Sequence, residues 1–132
     1  MKKIAVLAFV LVLLISLAGC LAVSIPEDAE GKVVYDINGI FFEDYLTAEE
    51  VAAVVKVLDG KSQNASIFSG APSCGFDRNV AIIINGTRYA LACDKCGTVQ
   101  NCSTLAYIHL SDAEREILEE IFTSRGGKFP CI

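Results

Sequence analysis

An apolar block near the N-terminus, Ile4–Leu17, constrains the folding of this chain more than any other feature of its sequence. It directly follows Met1, Lys2 and Lys3. A basic start and an apolar stretch of about 14 residues are typical of a secretory signal peptide, whereas a permanent membrane-spanning helix needs about 20 residues. We therefore predict that the block is an export signal that is cut off, so that only the residues after it build a folded core.

The end of the block indicates how the chain is processed. Positions 17–20 read LAGC, which resembles the lipobox of bacterial lipoproteins. This resemblance, which covers only the first 20 residues, implies that a diacylglycerol is linked to the Cys20 thiol and that a peptidase cuts before Cys20. It also implies an extracytoplasmic location at the cell membrane or the outer membrane, with the membrane as partner of the lipid. An ordinary secretory signal, cut for instance after Ala22, is the alternative.

The remaining chain divides into a short tether and one domain. A sequence of 132 residues suits a single domain better than two. After the predicted signal peptide at 1–19, residues 20–32 contain Pro26 and several acids but no hydrophobic period, which predicts a solvated tether. We expect order to begin near Val33, and residues 33–132 to form one extracytoplasmic domain.

The expected mature chain is acidic. Loss of two lysines from 11 basic residues leaves nine against 16 acidic residues, a formal net charge of −7. A negative surface repels the phosphates of nucleic acids, and the basic residues are scattered rather than clustered along the sequence. The composition therefore argues against nucleic acid as a partner.

Two capping boxes mark the starts of two helices. Thr47 with Glu50 predicts a helix that ends near position 59, and Ser111 with Glu114 predicts a second helix that ends near position 124. The apolar residues at three- and four-residue spacing, which we assign to the core, are Val51, Val54, Val55 and Leu58 in the first helix and Ile117, Leu118, Ile121 and Phe122 in the second.

Segments rich in β-branched and aromatic residues predict strands. Residues 33–42 contain Asn38-Gly39 and form either one bulged strand or a small hairpin. Residues 80–84 and 87–92 flank Asn85-Gly86, the strongest hairpin signal in the chain, and residues 105–110 form a further strand. The order of these elements predicts an α+β fold, in which an antiparallel sheet of three to four strands carries two helices on one face.

Five cysteines remain after Cys20, and we predict that disulfide bonds between them staple the domain. The five positions are Cys74, Cys93, Cys96, Cys102 and Cys131. Disulfides are the default outside the cytoplasm, and each one stabilises a small domain by about 2–4 kcal/mol. An odd number leaves at least one cysteine over, and the sequence does not choose among the pairings of the others.

Cys93 and Cys96 form a CxxC motif, which suits either a thiol–disulfide couple or a pair of metal ligands. The sequence around the motif argues against both functions. In thioredoxin-like oxidoreductases the pair opens a helix, whereas this motif follows a strand and leads into residues 97–101, which read as a turn. A zinc site needs a second pair of ligands, and neither the other cysteines nor His109 repeat the spacing. We therefore predict no metal and no cofactor.

The sequence lacks the common catalytic signatures. It contains no HExxH pair, no GxSxG elbow, no Walker-type glycine loop and no GxGxxG dinucleotide motif. The leading hypothesis is therefore a non-catalytic module, held at an envelope membrane by the lipid on Cys20, that binds an envelope protein. The alternative is a thiol–disulfide exchange or metal-handling protein that uses Cys93 and Cys96.

Overall fold

The computed structural model describes residues 22–64, 75–93 and 96–129. The predicted signal peptide with Cys20, and the predicted disulfide cysteines Cys74 and Cys131, lie outside these ranges. Along the chain, the elements are β1 (Gly31–Ile37), β2 (Ile40–Tyr45), α1 (Ala48–Leu58), β3 (Phe76–Ile84), β4 (Thr87–Ala92), β5 (Thr98–Asn101), β6 (Ala106–His109) and α2 (Asp112–Thr123).

The strands form an antiparallel sheet in the order β2-β1-β3-β4-β5-β6. The expected α+β fold with three to four strands is therefore wrong, because the described residues form a six-stranded sheet and a mainly β fold with two helices. The segment that begins at Val33 is a hairpin, turned by Asn38 and Gly39 at φ values of 54° and 83°. The hairpin predicted at Asn85-Gly86 is confirmed and joins β3 to β4.

β5 is the strand that the sequence analysis assigned to a turn. It pairs with β4 on one side and with β6 on the other, and its Val99 side chain is completely buried. Gly97 permits the close approach at its start, since a Cβ there would lie 2.4 Å from the Leu110 carbonyl oxygen. A strand of four residues is too short for an alternation of apolar and polar residues to be recognised in the sequence. Its conformation depends on the neighbouring strands with which it pairs.

Both helices pack on the same face of the sheet. Their buried side chains form a single core with the inward residues of the strands, including Val54, Leu58, Leu118 and Phe122 from the helices and Val33, Ile82, Leu91 and Ile108 from the sheet. Both capping boxes are confirmed, since Thr47 and Ser111 each accept a hydrogen bond from the backbone three residues on. Ile117 is 36% exposed, contrary to the prediction, and Arg115 takes a buried place on α2.

The two helices lie side by side in opposite directions, as two ion pairs indicate. Arg125, just beyond α2, donates to Glu50 in the first turn of α1 at 2.7 and 2.8 Å. Lys61, just beyond α1, lies 2.7 Å from the carboxylate of Glu114 in the first turn of α2. In the part of the chain that the structure covers, no helix has the length and hydropathy to cross a membrane.

The chain packs against the domain from residue 22 onward, well before the predicted start of order at Val33. Val23 and Ile25 are 3% and 9% exposed and belong to the core. The Val23 N–H donates to the Lys61 carbonyl and the Gly60 N–H donates to the Val23 carbonyl, each at 2.9 Å. Residues 22–30 are therefore not a solvated tether, because two apolar side chains among them gain more from burial than from water.

Candidate functional site

A cavity of about 670 Å³ lies between α1 and residues 27–31, and we call it the α1 groove. Its apolar lining consists of Ala29, Leu46, Ala48, Val51, Ala52 and Val55. Glu27, Glu30, Tyr45 and Lys56 contribute its polar and aromatic rim. The volume falls within the range of about 300–1,000 Å³ that ligand pockets usually have.

The groove exists because the apolar stripe of α1 is wider than its contact with the sheet. Val54 is completely buried, whereas Val51 and Val55, which the spacing assigned to the core, are half-buried and line the groove. Gly31 allows the Leu46 side chain to lie in the floor, because a Cβ at Gly31 would be 2.7 Å from Leu46 Cδ1. A single small residue thus shapes the floor of the α1 groove.

The rim of the groove is acidic. Glu27 and Glu30 line it, and an adjoining cavity of about 550 Å³ adds Asp28 and Glu43. Within the described ranges, Glu27, Asp28 and Glu30 form no ion pair, whereas Glu43 lies 3.4 Å from Lys32 Nζ. Glu27 and Glu30 therefore line the apolar groove together with Lys56, and Asp28 lies in the adjoining cavity; none of the three carboxylates has an ion-pair partner among the described residues.

Tyr45 lies between the two cavities and lines both of them. Its side chain is 71% exposed, and Lys32 Nζ lies 4.6 Å from the centre of its ring, a cation–π distance. The hydrogen bond to Glu43, with Tyr45 as a further contributor, raises the pKa of Lys32. Tyr45 ends β2, which forms one edge of the six-stranded sheet and also exposes Phe41.

The CxxC motif forms a second candidate site at the connection between β4 and β5. Cys93 is buried and Cys96 is exposed. The buried Arg115 guanidinium donates to the Ala92 carbonyl at 3.0 Å and to the Cys96 carbonyl at 2.8 Å, while its Nε donates to Glu119. Arg115 therefore ties both ends of the motif to α2.

The expected disulfide stapling is not found in the described residues, where no disulfide bond joins Cys93, Cys96 and Cys102 to one another. Cys102 follows β5 and Cys96 precedes it, so a strand of about 13 Å separates the two. The Cα atoms of a disulfide lie within about 7 Å of each other. Cys102 packs instead with Ala81 and Ala90, apart from the main core.

The described residues contain no group of three His, Cys, Asp or Glu side chains that could hold a metal ion. His109, at the end of β6, is exposed. Of the two candidate sites, the sequence analysis identified the CxxC motif and missed both the α1 groove and Arg115. The position of Arg115, three residues before the buried Leu118, is the one signal that could have revealed its place on the inner face of α2.

Comparison with known proteins identified no relative of this chain: no family model matches the sequence, and no curated protein or solved structure has significant similarity to it. The functional argument therefore depends on the geometry of the candidate sites.

Proposed function

We propose that this protein is a membrane-anchored, extracytoplasmic binding module whose α1 groove takes a basic, amphipathic segment of an envelope protein. The observation that carries the proposal is the apolar floor of the groove beside three carboxylates, Glu27, Asp28 and Glu30, that have no ion-pair partner among the described residues. The resemblance of positions 17–20 to a lipobox supports the lipid anchor on Cys20.

The chemistry of the groove favours one kind of ligand. Burial of apolar side chains against Val51, Ala52 and Val55 supplies binding energy at about 25 cal/mol per Å². The acidic rim attracts lysine or arginine residues beside those apolar side chains, and it repels an acidic segment. A peptide that alternates apolar and basic groups satisfies both requirements.

Calorimetric titration of the detergent-solubilised mature protein tests the groove. The probe is a peptide of leucine and lysine, and its control has glutamate in place of lysine. We expect binding of the lysine peptide alone. Replacement of both Glu27 and Glu30 by glutamine should weaken it about tenfold, since each exposed charge contact contributes below about 1 kcal/mol.

Two matched variants locate the binding. Ala52→Trp fills the α1 groove, whereas Ala113→Trp places the same side chain on an exposed position of α2. Binding should be lost in the first variant and kept in the second. Equal affinities for the two variants, or for the two peptides, would contradict the proposed site.

The anchor is tested by the intact mass of the detergent-extracted protein. A chain that begins at Cys20 and carries acyl chains supports the proposal. A chain that begins beyond Cys20 without lipid contradicts it.

A second candidate function, thiol–disulfide exchange, is favoured by the arrangement at the CxxC motif. Cys96 is exposed and Cys93 is buried, while Arg115 holds the backbone at both ends of the motif. Such a protein would reduce a disulfide-bonded peptide, and Cys93→Ser or Cys96→Ser would abolish this activity. Equal peptide reduction by the serine variants and the parent protein would eliminate this candidate.

A further inference from the structure

The contacts of Ala22, Val23 and Ile25 with the domain determine how long the connection to the proposed anchor is. Ala22 forms an antiparallel bridge with Ser62. Val23 follows as a core residue with two backbone hydrogen bonds, and the Ile25 N–H donates to the Asp59 carboxylate at 2.9 Å. The domain therefore holds its own N-terminal segment from residue 22.

This arrangement leaves almost no linker after Cys20. Two residues, fully extended, span at most about 7 Å, so Cys20 lies within that reach of Ala22. The flexible tether of 12 residues that the sequence suggested would span about 20 Å and would let the domain turn freely. A lipid on Cys20 would instead hold one particular side of the domain against the bilayer.

The surface around Ala22 suits such a contact. Five of its exposed residues are small and uncharged, namely Ala22, Ser24, Gly60, Ser62 and Asn64, and the exposed Asp59 beside them accepts the hydrogen bond from the Ile25 N–H. The carboxylates without ion pairs, Glu27, Asp28 and Glu30, lie in the cavities beside β1 and β2 instead. In a chain of high negative charge, a surface with few charged residues approaches anionic headgroups with the least repulsion.

The same surface adjoins one edge of the sheet. The backbone of Asn64 exchanges two hydrogen bonds of 2.8 Å with Tyr107 of β6. β2 is the strand at the opposite edge. Five spacings of about 4.8 Å place the two edges about 24 Å apart. The α1 groove extends from Tyr45 at the end of β2 to Glu27, which is only three residues from Ser24.

We propose that the surface formed by Ala22, Ser24, Gly60, Ser62 and Asn64 faces the lipid headgroups, and that β2, at the opposite edge of the sheet, points away from the membrane. The inference rests on the proposed anchor at Cys20 and adds a fixed orientation to it.

Fluorescence quenching in vesicles tests the orientation. The full chain is expressed with its own N-terminus in a bacterial host and reconstituted into phosphatidylcholine and phosphatidylglycerol vesicles that contain a spin-labelled headgroup. An azide-bearing phenylalanine at Ser62 or at Phe41 carries the fluorophore, since both side chains are exposed. We expect several-fold stronger quenching at Ser62. A flexible insertion of glycine and serine between Leu21 and Ala22 should remove most of this difference.

The intact mass of the same sample distinguishes an error in the proposed orientation from an error in the proposed anchor. Acylated protein with equal quenching at Ser62 and Phe41 overturns the orientation and leaves the anchor intact. Protein without acyl chains overturns the anchor, and the orientation with it. A quenching difference that persists after the flexible insertion also overturns the argument from the short connection.

Discussion

The two helices begin in the same way and then serve different purposes. Each starts with a capping box whose glutamate also pairs with a cation beyond the end of the other helix. Beyond this start, α2 carries Arg115, which is buried and bound to the backbone around the CxxC motif, whereas α1 presents half-buried valines to an open groove. The comparison teaches that α2 fixes the connection between β4 and β5, while one flank of α1 is open.

The largest effect is expected at Arg115. Arg115→Leu should lower the free energy of unfolding by about 3 kcal/mol, because the carbonyls of Ala92 and Cys96 and the carboxylate of Glu119 would lose a buried donor. Urea unfolding measures the loss. Arg125→Leu is the matched control, since it breaks ion pairs at the helix ends and should cost about 1 kcal/mol. Equal losses would contradict the special role of Arg115.

A smaller difference is expected between the two flanks of α1. Val54→Ala removes methyl groups from the core and should cost about 2 kcal/mol, whereas Val51→Ala at the groove should cost about 0.5 kcal/mol. Thermal and urea unfolding of the two variants provide the comparison. If Val51→Ala were as destabilising as Val54→Ala, the groove flank would be part of the core after all.

The ion pairs at the helix ends predict a loss of stability in acid. The hydrogen bonds from Lys61 and from the Ser111 backbone lower the pKa of Glu114 from 4.5 to about 2. Because the folded pKa is depressed, the stabilisation is complete above about pH 4.5 and is lost as the pH falls towards about 2. Arg125 likewise lowers the pKa of Glu50. Protonation of either glutamate in acid therefore lowers the stability of the fold.

Glu114→Gln tests this pH dependence. At neutral pH the variant should lose about 1 kcal/mol, and its unfolding free energy should fall less steeply than that of the parent between pH 4.5 and 2. Unfolding curves over that pH range measure both effects. Parallel pH profiles for the variant and the parent would show that the Lys61 pair does not contribute.

The smallest effect is expected at the groove itself. Ala52→Trp and Ala113→Trp both change exposed positions, so each should alter the unfolding free energy by less than about 0.5 kcal/mol. A loss of peptide binding in Ala52→Trp would then be a property of the groove and not of misfolding. A large destabilisation of Ala52→Trp alone would show that the groove is closed in solution.

The features that local chemistry controls were accessible from the sequence. Thr47 and Ser111 cap the helices where expected, because a hydroxyl group and a glutamate three residues on satisfy donors within one turn. Asn85-Gly86 makes the expected hairpin, because both residues tolerate positive φ. The extra strands and the groove could not be read in this way, since Val99 and Val51 look alike in a sequence and differ only in what packs on them.

The sequence alone determined the starts of the helices, the Asn85-Gly86 turn of the sheet, the acidic charge and the apolar N-terminal block, each of which depends on residues close together in the chain. The tertiary structure decided the six-stranded sheet, the burial of Val23 and Ile25, and the place of Arg115 beside the CxxC motif. These features depend on hydrogen bonds and apolar contacts between segments tens of residues apart. Such contacts form only when the whole core is assembled, so no local pattern of residues predicts them.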